Sequence, residues 1–377
     1  MFEKYKGTID LFKVIYDEYH YQAVSLEDLY SKPFIELEVY GVDALCWITF
    51  QGEKYLFKEV KNYEYNIWGE LISEEFAKLF GFPCASYRFA AFGDRYGVIT
   101  KSFLKKGESL RLGSEIFQRF INRYVLKNKE IHNILDDQQF LSLYQIPPSF
   151  LKLDSYDQKR YIFNHLNNLD QIWSIIENNK KIHADESQNI ISSLLNLLIF
   201  DIVTLQLDRH PNNWGYIKSD QRYLPNILFD NQKSFGLGYI NMSDKVLDFK
   251  NELMSSRFTQ NLEVLNHYLY DTGLNLTLSV DNIIDSSLRK KDNALKVLQD
   301  LLEKSDEETC KKIISTINKI PKNFLENIIC MLEEKNGITM NNNLYFYITN
   351  LFSLHFSNIQ NITHLYLERS TQNEKRI

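Results

Sequence analysis

The sequence predicts an α+β protein of two lobes, a small β-rich one followed by a larger, mainly helical one. Between Ile35 and Lys101 the apolar spacing passes from alternation to a period of 3.6 and back. Beyond about residue 113 it is helical almost throughout. At 377 residues, 44% of them hydrophobic and 14% aromatic, the chain is long enough to give each lobe its own core.

Residues 1–34 read as an extension packed on the first lobe, residues 35–101. Within that lobe IELEVY, ALCWITF and KYLFKEV alternate as three strands. Asn66–Phe80 carries apolar residues at Ile67, Leu71, Phe76, Leu79 and Phe80 with Glu70, Glu74, Glu75 and Lys78 between them and reads as an amphipathic helix stopped by Gly81 and Pro83. SYRFAAF and RYGVITK, joined at Gly93-Asp94, form a hairpin. Residues 102–112 are polar and carry Lys105-Lys106-Gly107, as a connecting hinge would. The helical lobe spans 113–368, with helices expected at Ser155–Asn178, Ile190–Leu207, Lys291–Lys304, Asp306–Ile317, Pro321–Lys335 and Asn343–Phe356. Trp214–Ile217 and Tyr223–Phe229 read as short paired strands that bring Asp230 back beside the loop at 208–213. Residues 369–377 form a polar tail.

A net charge of −6 gives no global attraction to nucleic acid or an anionic membrane. The N-terminus lacks an apolar stretch of signal-peptide length, and polar residues interrupt Ile190–Leu207, so a cytoplasmic protein is expected. Cys46, Cys84, Cys310 and Cys330 have neither zinc-ligand nor disulfide-framework spacing. An excess of Lys, Asn and Ile over Ala, Gly and Pro suggests an AT-rich coding sequence and a bacterial source.

The chemistry concentrates in Asp208-Arg209-His210-Pro211-Asn212-Asn213 and in Asp230. Phosphoryl transfer needs a carboxylate to orient the attacking hydroxyl, and an amide with a second carboxylate to hold magnesium on the nucleotide phosphates. Asp208, Asn213 and Asp230 supply these groups. A surface turn would use the same residue types, but this loop leaves a long apolar helix and precedes a hairpin and a second acid. Lys58, on the third strand, suits the α- and β-phosphates, with Lys61 its nearest rival. Glu70, Glu74 and Glu75 are candidate partners for it; Glu70 and Glu74 share a helix face, and Glu70 is the first choice. Gly41, in the turn Gly41–Ala44, can offer backbone N–H groups to phosphate. His210 is read as bracing the loop, and Arg209 as facing either substrate phosphate or a structural carboxylate.

With these residues in place the chain resembles the HipA-like serine/threonine kinases known from toxin–antitoxin modules, including their shorter stand-alone CtkA-like members. The resemblance is carried by Tyr55–Glu59 (YLFKE), Trp68–Gly81 (WGELISEEFAKLFG), Gly97–Phe103 (GVITKSF), Asp208–Gly215 (DRHPNNWG) and Leu224–Asp230 (LPNILFD), in the family's order. It implies a two-lobed protein-kinase-like fold, ATP and Mg2+, transfer to a protein serine or threonine, and an antitoxin partner. It also implies Asp208 as catalytic base, Asn213 and Asp230 as metal ligands within a metal segment at 224–236, and Lys101 and Phe103 as further nucleotide contacts. Glu70 stands where the family places its helix acid. The chain departs from the longer members, which carry an extra N-terminal domain and an autophosphorylated loop serine; Gly41–Ala44 contains neither serine nor threonine. Lipid kinases and small-molecule phosphotransferases share parts of the same loop pattern, and a kinase fold without activity would serve as a binding scaffold.

Overall fold

The computed structural model describes residues 9–10, 37–38, 45–50, 53–59, 65–92, 95–119, 166–179, 181–220, 222–225, 227–238, 274 and 293–374. Gly41–Ala44, Lys61, Gly93-Asp94 and the first part of the helix expected at Ser155–Asn178 lie outside them. The chain divides into two compact units, one made of Met1–Lys105, Asp230–Leu262 and Asn318–Ser353, the other of Lys106–Phe229, Glu263–Ile317 and Leu354–Ile377.

The first unit holds a six-stranded sheet in the order β1-β5-β6-β4-β3-β2. Its strands are β1 (Ile9–Asp10), β2 (Leu37–Glu38), β3 (Leu45–Phe50), β4 (Glu53–Glu59), β5 (Tyr87–Phe92) and β6 (Arg95–Lys101). All pairings are antiparallel except that of β1 with β5. β4 is central, with Lys58 opposite Leu45 on one side and Val98 on the other. Its exposed start becomes buried at Phe57, Lys58 and Glu59, so the lysine leaves the strand where water is already excluded.

Helix α1 (Tyr65–Phe80) follows β4. It ends at Gly81, whose φ of +76° suits a residue without Cβ. There Phe82 N–H donates to Ala77 O (2.8 Å) and Gly81 N–H to Lys78 O (3.1 Å), closing the last turn. The fully buried Phe76 ring lies 5.1 Å from Phe235, 5.1 Å from Phe324 and 5.3 Å from Phe352, centroid to centroid. α1 also packs on helix α6 (Phe324–Asn336), whose Asn336 side chain accepts from Phe89 N–H. Gly69 permits a close approach: a Cβ there would lie 2.2 Å from Gln232 O. The residues after Asp230 are therefore seated directly on α1, one position from Glu70.

The second unit contains helices α2 (Leu169–Glu177), α3 (Ala184–Thr204), α4 (Ala294–Lys304) and α5 (Glu307–Ile317). It also holds an antiparallel sheet, β7 (Ser109–Leu112), β8 (Gly215–Lys218) and β9 (Tyr223–Leu224). α3 packs against α2, α4 and β9. Glu186 starts it, accepting from His183 N–H (3.0 Å) and Tyr223 N–H (3.0 Å). By length and composition α3 is the one helix among the described residues that could cross a membrane, yet 67% of its apolar window is buried inside the protein. It is a core helix. Helix α7 (Asn342–Glu374) runs through residues assigned to both units and well past the expected end at Phe356. Thr363, Ser370 and Thr371 turn their hydroxyls back onto carbonyls three or four residues earlier, which satisfies them inside the helix.

His355 of α7 is fully buried and bonds Ile202 O through Nε2 (2.7 Å). Burial pushes its imidazole down to about 4 from an ordinary 6.5. A depressed histidine contributes stability that is complete above pH 6.5 and lost as pH falls through about 4. His355→Gln is expected to flatten the acid limb of the unfolding free energy in that window, by on the order of 3 kcal/mol. Urea titrations at a series of pH values check this; an unchanged acid limb would mean the imidazole is not held neutral.

Candidate active site

The groups of interest form two sets, one in each unit. In the sheet unit, Lys58 Nζ lies 3.4 Å from Glu70 Oε1 and in contact with Asp230 Oδ1. The Lys58 side chain is 11% exposed and that of Glu70 fully buried, so neither charge is solvated by bulk water. The second oxygen of Glu70 accepts from Asn231 N–H (2.8 Å). One carboxylate thereby joins β4 to the backbone beside Asp230. Burial pushes Glu70 up to about 7, against the lowering pull of Lys58; Asp230 adds to the rise and Asn231 N–H opposes it.

Asp230 has a positive φ of 54°, in the left-handed region that aspartate visits more readily than most non-glycine residues. Tyr87 Oη accepts from its N–H (3.3 Å). Burial, with Glu70 and Asp230 nearby, raises the Tyr87 phenol well above its ordinary value. Glu74 turns elsewhere, accepting from Ser86 Oγ (2.8 Å), Tyr87 N–H (2.7 Å) and Lys78 Nζ (2.7 Å). Of the two acids on the shared face, Glu70 is the one that reaches Lys58. Glu75 pairs with Lys78 at the surface.

In the helical unit α3 ends at Leu205, at φ 52°, and Asp208 N–H donates to Gln206 Oε1 (3.1 Å). The loop is folded on its own polar groups. Asp208 O accepts from His210 N–H and from Asn213 Nδ2, each at 2.8 Å. Because the Asn213 amide nitrogen is committed to that carbonyl, the amide presents its oxygen for another role. His210 Nδ1 accepts from Asn212 N–H (3.2 Å), and Nε2 lies 3.9 Å from Asp208 Oδ2. Asp208 itself keeps a side chain 21% exposed.

Arg209 is fully buried, and the open question over it closes in favour of a structural carboxylate. Its guanidinium grips Asp201 of α3 through Nε (3.1 Å) and Nη2 (2.9 Å). Nη1 donates to Asn213 O and Phe229 O, both at 2.9 Å. The planar fork suits such simultaneous contacts. Burial pushes Asp201 up to about 6, against the lowering pull of Arg209 and its hydrogen bonds. Asn167 completes the cradle, donating to Arg209 O (2.9 Å) and accepting from Trp214 Nε1 (2.7 Å).

Asn213 in the helical unit and Asp230 in the sheet unit each carry a hard oxygen donor, the type Mg2+ selects. No cluster of three or more His, Cys, Asp or Glu is present among the described residues, so a cage built wholly from such side chains is not what this donor set offers. The remaining expected contacts are placed differently. Lys101 is exposed and paired with Glu53 at 2.9 Å, Phe103 is half-buried just beyond β6, and Gly41 lies outside the described residues.

The fold is the two-lobed kinase-like α+β class. It is similar to the crystal structure of the proinflammatory kinase CtkA of Helicobacter pylori, with a TM-score of 0.56, 15% identity, and 88% of this chain and 96% of that one covered. A weaker likeness, with a TM-score of 0.42, 10% identity, and 92% of this chain and 70% of that one covered, is to a Shewanella oneidensis toxin–antitoxin complex of HipA, HipB and operator DNA. No protein-family model and no curated protein matches the sequence.

Asp201, Asn167 and Tyr87 escaped the sequence reading. Asp201 carried a signal, an acid inside an apolar helix eight positions before Arg209; the other two act on distant backbone groups and carried none. Asp201→Ala is expected to lower the unfolding free energy by about 3–5 kcal/mol, since it leaves a buried guanidinium uncompensated. Chemical denaturation checks this; a loss below about 1 kcal/mol would mean Arg209 finds solvent or another acid.

Proposed function

We propose that the chain is an ATP- and Mg2+-dependent protein serine/threonine kinase of the HipA-like type, acting in the cytoplasm. The observation that carries the reading is the buried ion pair of Lys58 with Glu70, with Asp230 on the same ammonium. A surface lysine would not be held this way. The fold shared with CtkA and the compact Asp208–Asn213 loop add support. A toxin role and an antitoxin partner belong to the same proposal and rest on the sequence resemblance.

In this reading Lys58 holds the α- and β-phosphates of ATP, with Glu70 fixing its ammonium. Asn213 and Asp230 would hold Mg2+, which supplies charge neutralisation for the phosphates when bound. Asp208 orients the substrate hydroxyl and takes its proton as the new O–P bond forms and ADP leaves. His210 braces the loop through Asn212 N–H. Arg209, occupied by Asp201 and two carbonyls, keeps the loop in shape rather than binding phosphate.

The test is transfer from γ-labelled ATP in a cell lysate. Wild type is expected to label protein bands that vanish with Asp208→Ala, and Lys58→Met, Asn213→Ala and Asp230→Ala to lose about two or more orders of magnitude while remaining folded. Label confined to the lipid extract or to a small molecule would overturn the protein-kinase reading. Full turnover by folded Asp230→Ala would remove that residue from the metal site.

A further inference from the structure

We propose that Tyr87 is a positioning residue for Asp230, its buried hydroxyl holding the peptide from which that carboxylate projects. The inference rests on the reading of Asp230 as a metal ligand. Asp230 sits in the left-handed region at φ 54°, a conformation whose cost its contacts help to offset. Three contacts do so: Tyr87 Oη accepts from Asp230 N–H (3.3 Å), Glu70 Oε2 accepts from Asn231 N–H (2.8 Å), and Lys58 contacts the Asp230 side chain. Glu70 and Lys58 already have assigned roles. Tyr87 has none.

The tyrosine is itself well anchored. It is 8% exposed, and its backbone N–H donates to Glu74 Oε2 (2.7 Å). Glu74 is buried and held in turn by Ser86 Oγ (2.8 Å) and Lys78 Nζ (2.7 Å). The phenol oxygen is therefore presented from the sheet by a fixed strand, and the ring has no solvent to swing into. A phenyl ring would fill the same space without accepting the Asp230 N–H. The peptide would then be freer to leave the left-handed region, and the carboxylate would lose its direction. Groups that orient a ligand from behind typically change metal affinity by about 10- to 100-fold when removed.

The experiment compares the purified full chain with Tyr87→Phe. Tm is titrated with Mg2+ at saturating non-hydrolysable ATP analogue, and affinity for the analogue is measured without Mg2+. The Mg2+ midpoint is expected to rise about 10- to 100-fold in Tyr87→Phe, with Mg2+-free affinity within about twofold of wild type. An unchanged midpoint, or a rise matched by an equal loss of Mg2+-free affinity, overturns the inference, because a merely structural defect would weaken both. If wild type itself shows no Mg2+-dependent shift, the metal reading of Asp230 falls and the inference with it, an outcome seen before any variant is made. Should Tyr87→Phe fail to fold, Glu74→Gln, which loosens the strand behind the hydroxyl, is expected to raise the midpoint by a smaller factor; an unchanged midpoint there also overturns the inference.

Discussion

A carboxylate removed from water must find partners for both its oxygens, and Glu70 does so with an ammonium and a peptide N–H that lie far apart in the chain. That requirement organises the sheet unit. Lys58 leaves β4 toward α1 because Glu70 is there, and the residues after Asp230 lie on α1 because Asn231 N–H meets the other oxygen. Gly69 makes room for them, since any side chain would collide with Gln232 O. The Phe76 cluster supplies apolar packing but gives no direction to a charged group. Lys58 thus stands between a buried acid, Glu70, and a partly exposed one, Asp230.

The helical unit solves a related problem with the opposite charge. Arg209 is buried in the loop that carries Asp208 and Asn213, and its guanidinium is matched to Asp201 on the helix that delivers the loop. Two carbonyls take its Nη1 donors, those of Asn213 and of the residue before Asp230. The loop is thereby made rigid from beneath, while Asp208 and His210 stay partly exposed. Buried groups fix the backbone while Asp208 and His210 face water, an arrangement that holds a side chain in place without sealing it off.

Much of this was legible in the sequence, for identifiable reasons. A half-buried strand alternates and an amphipathic helix repeats every 3.6 residues, so β3 to β6 and α1 fell close to their expected bounds. β1 has two residues and no period to detect, and β7 lies in a polar stretch expected as hinge, its pairing with β8 being non-local. Periodicity also cannot show that α6, some 250 positions from α1, packs on it. Among the candidate residues, Lys58, Glu70 and Asp230 of one unit and Asp208 and Asn213 of the other stand out in the sequence because charge and amide types at short spacings are visible locally. Tyr87 and Asn167 do not, since a tyrosine hydroxyl or an asparagine amide that supports a distant backbone group looks like any other.

The proposed kinase activity depends on Lys58 meeting nucleotide phosphate. An ATP probe carrying an acyl phosphate transfers its acyl group to lysines beside the phosphates, and mass spectrometry reads which lysine is modified. With Mg2+ present, Lys58 is expected to carry the label and to be protected by excess ATP. Label on Lys61 or Lys101 in place of Lys58, or label on Lys58 that ATP does not compete away, would contradict it.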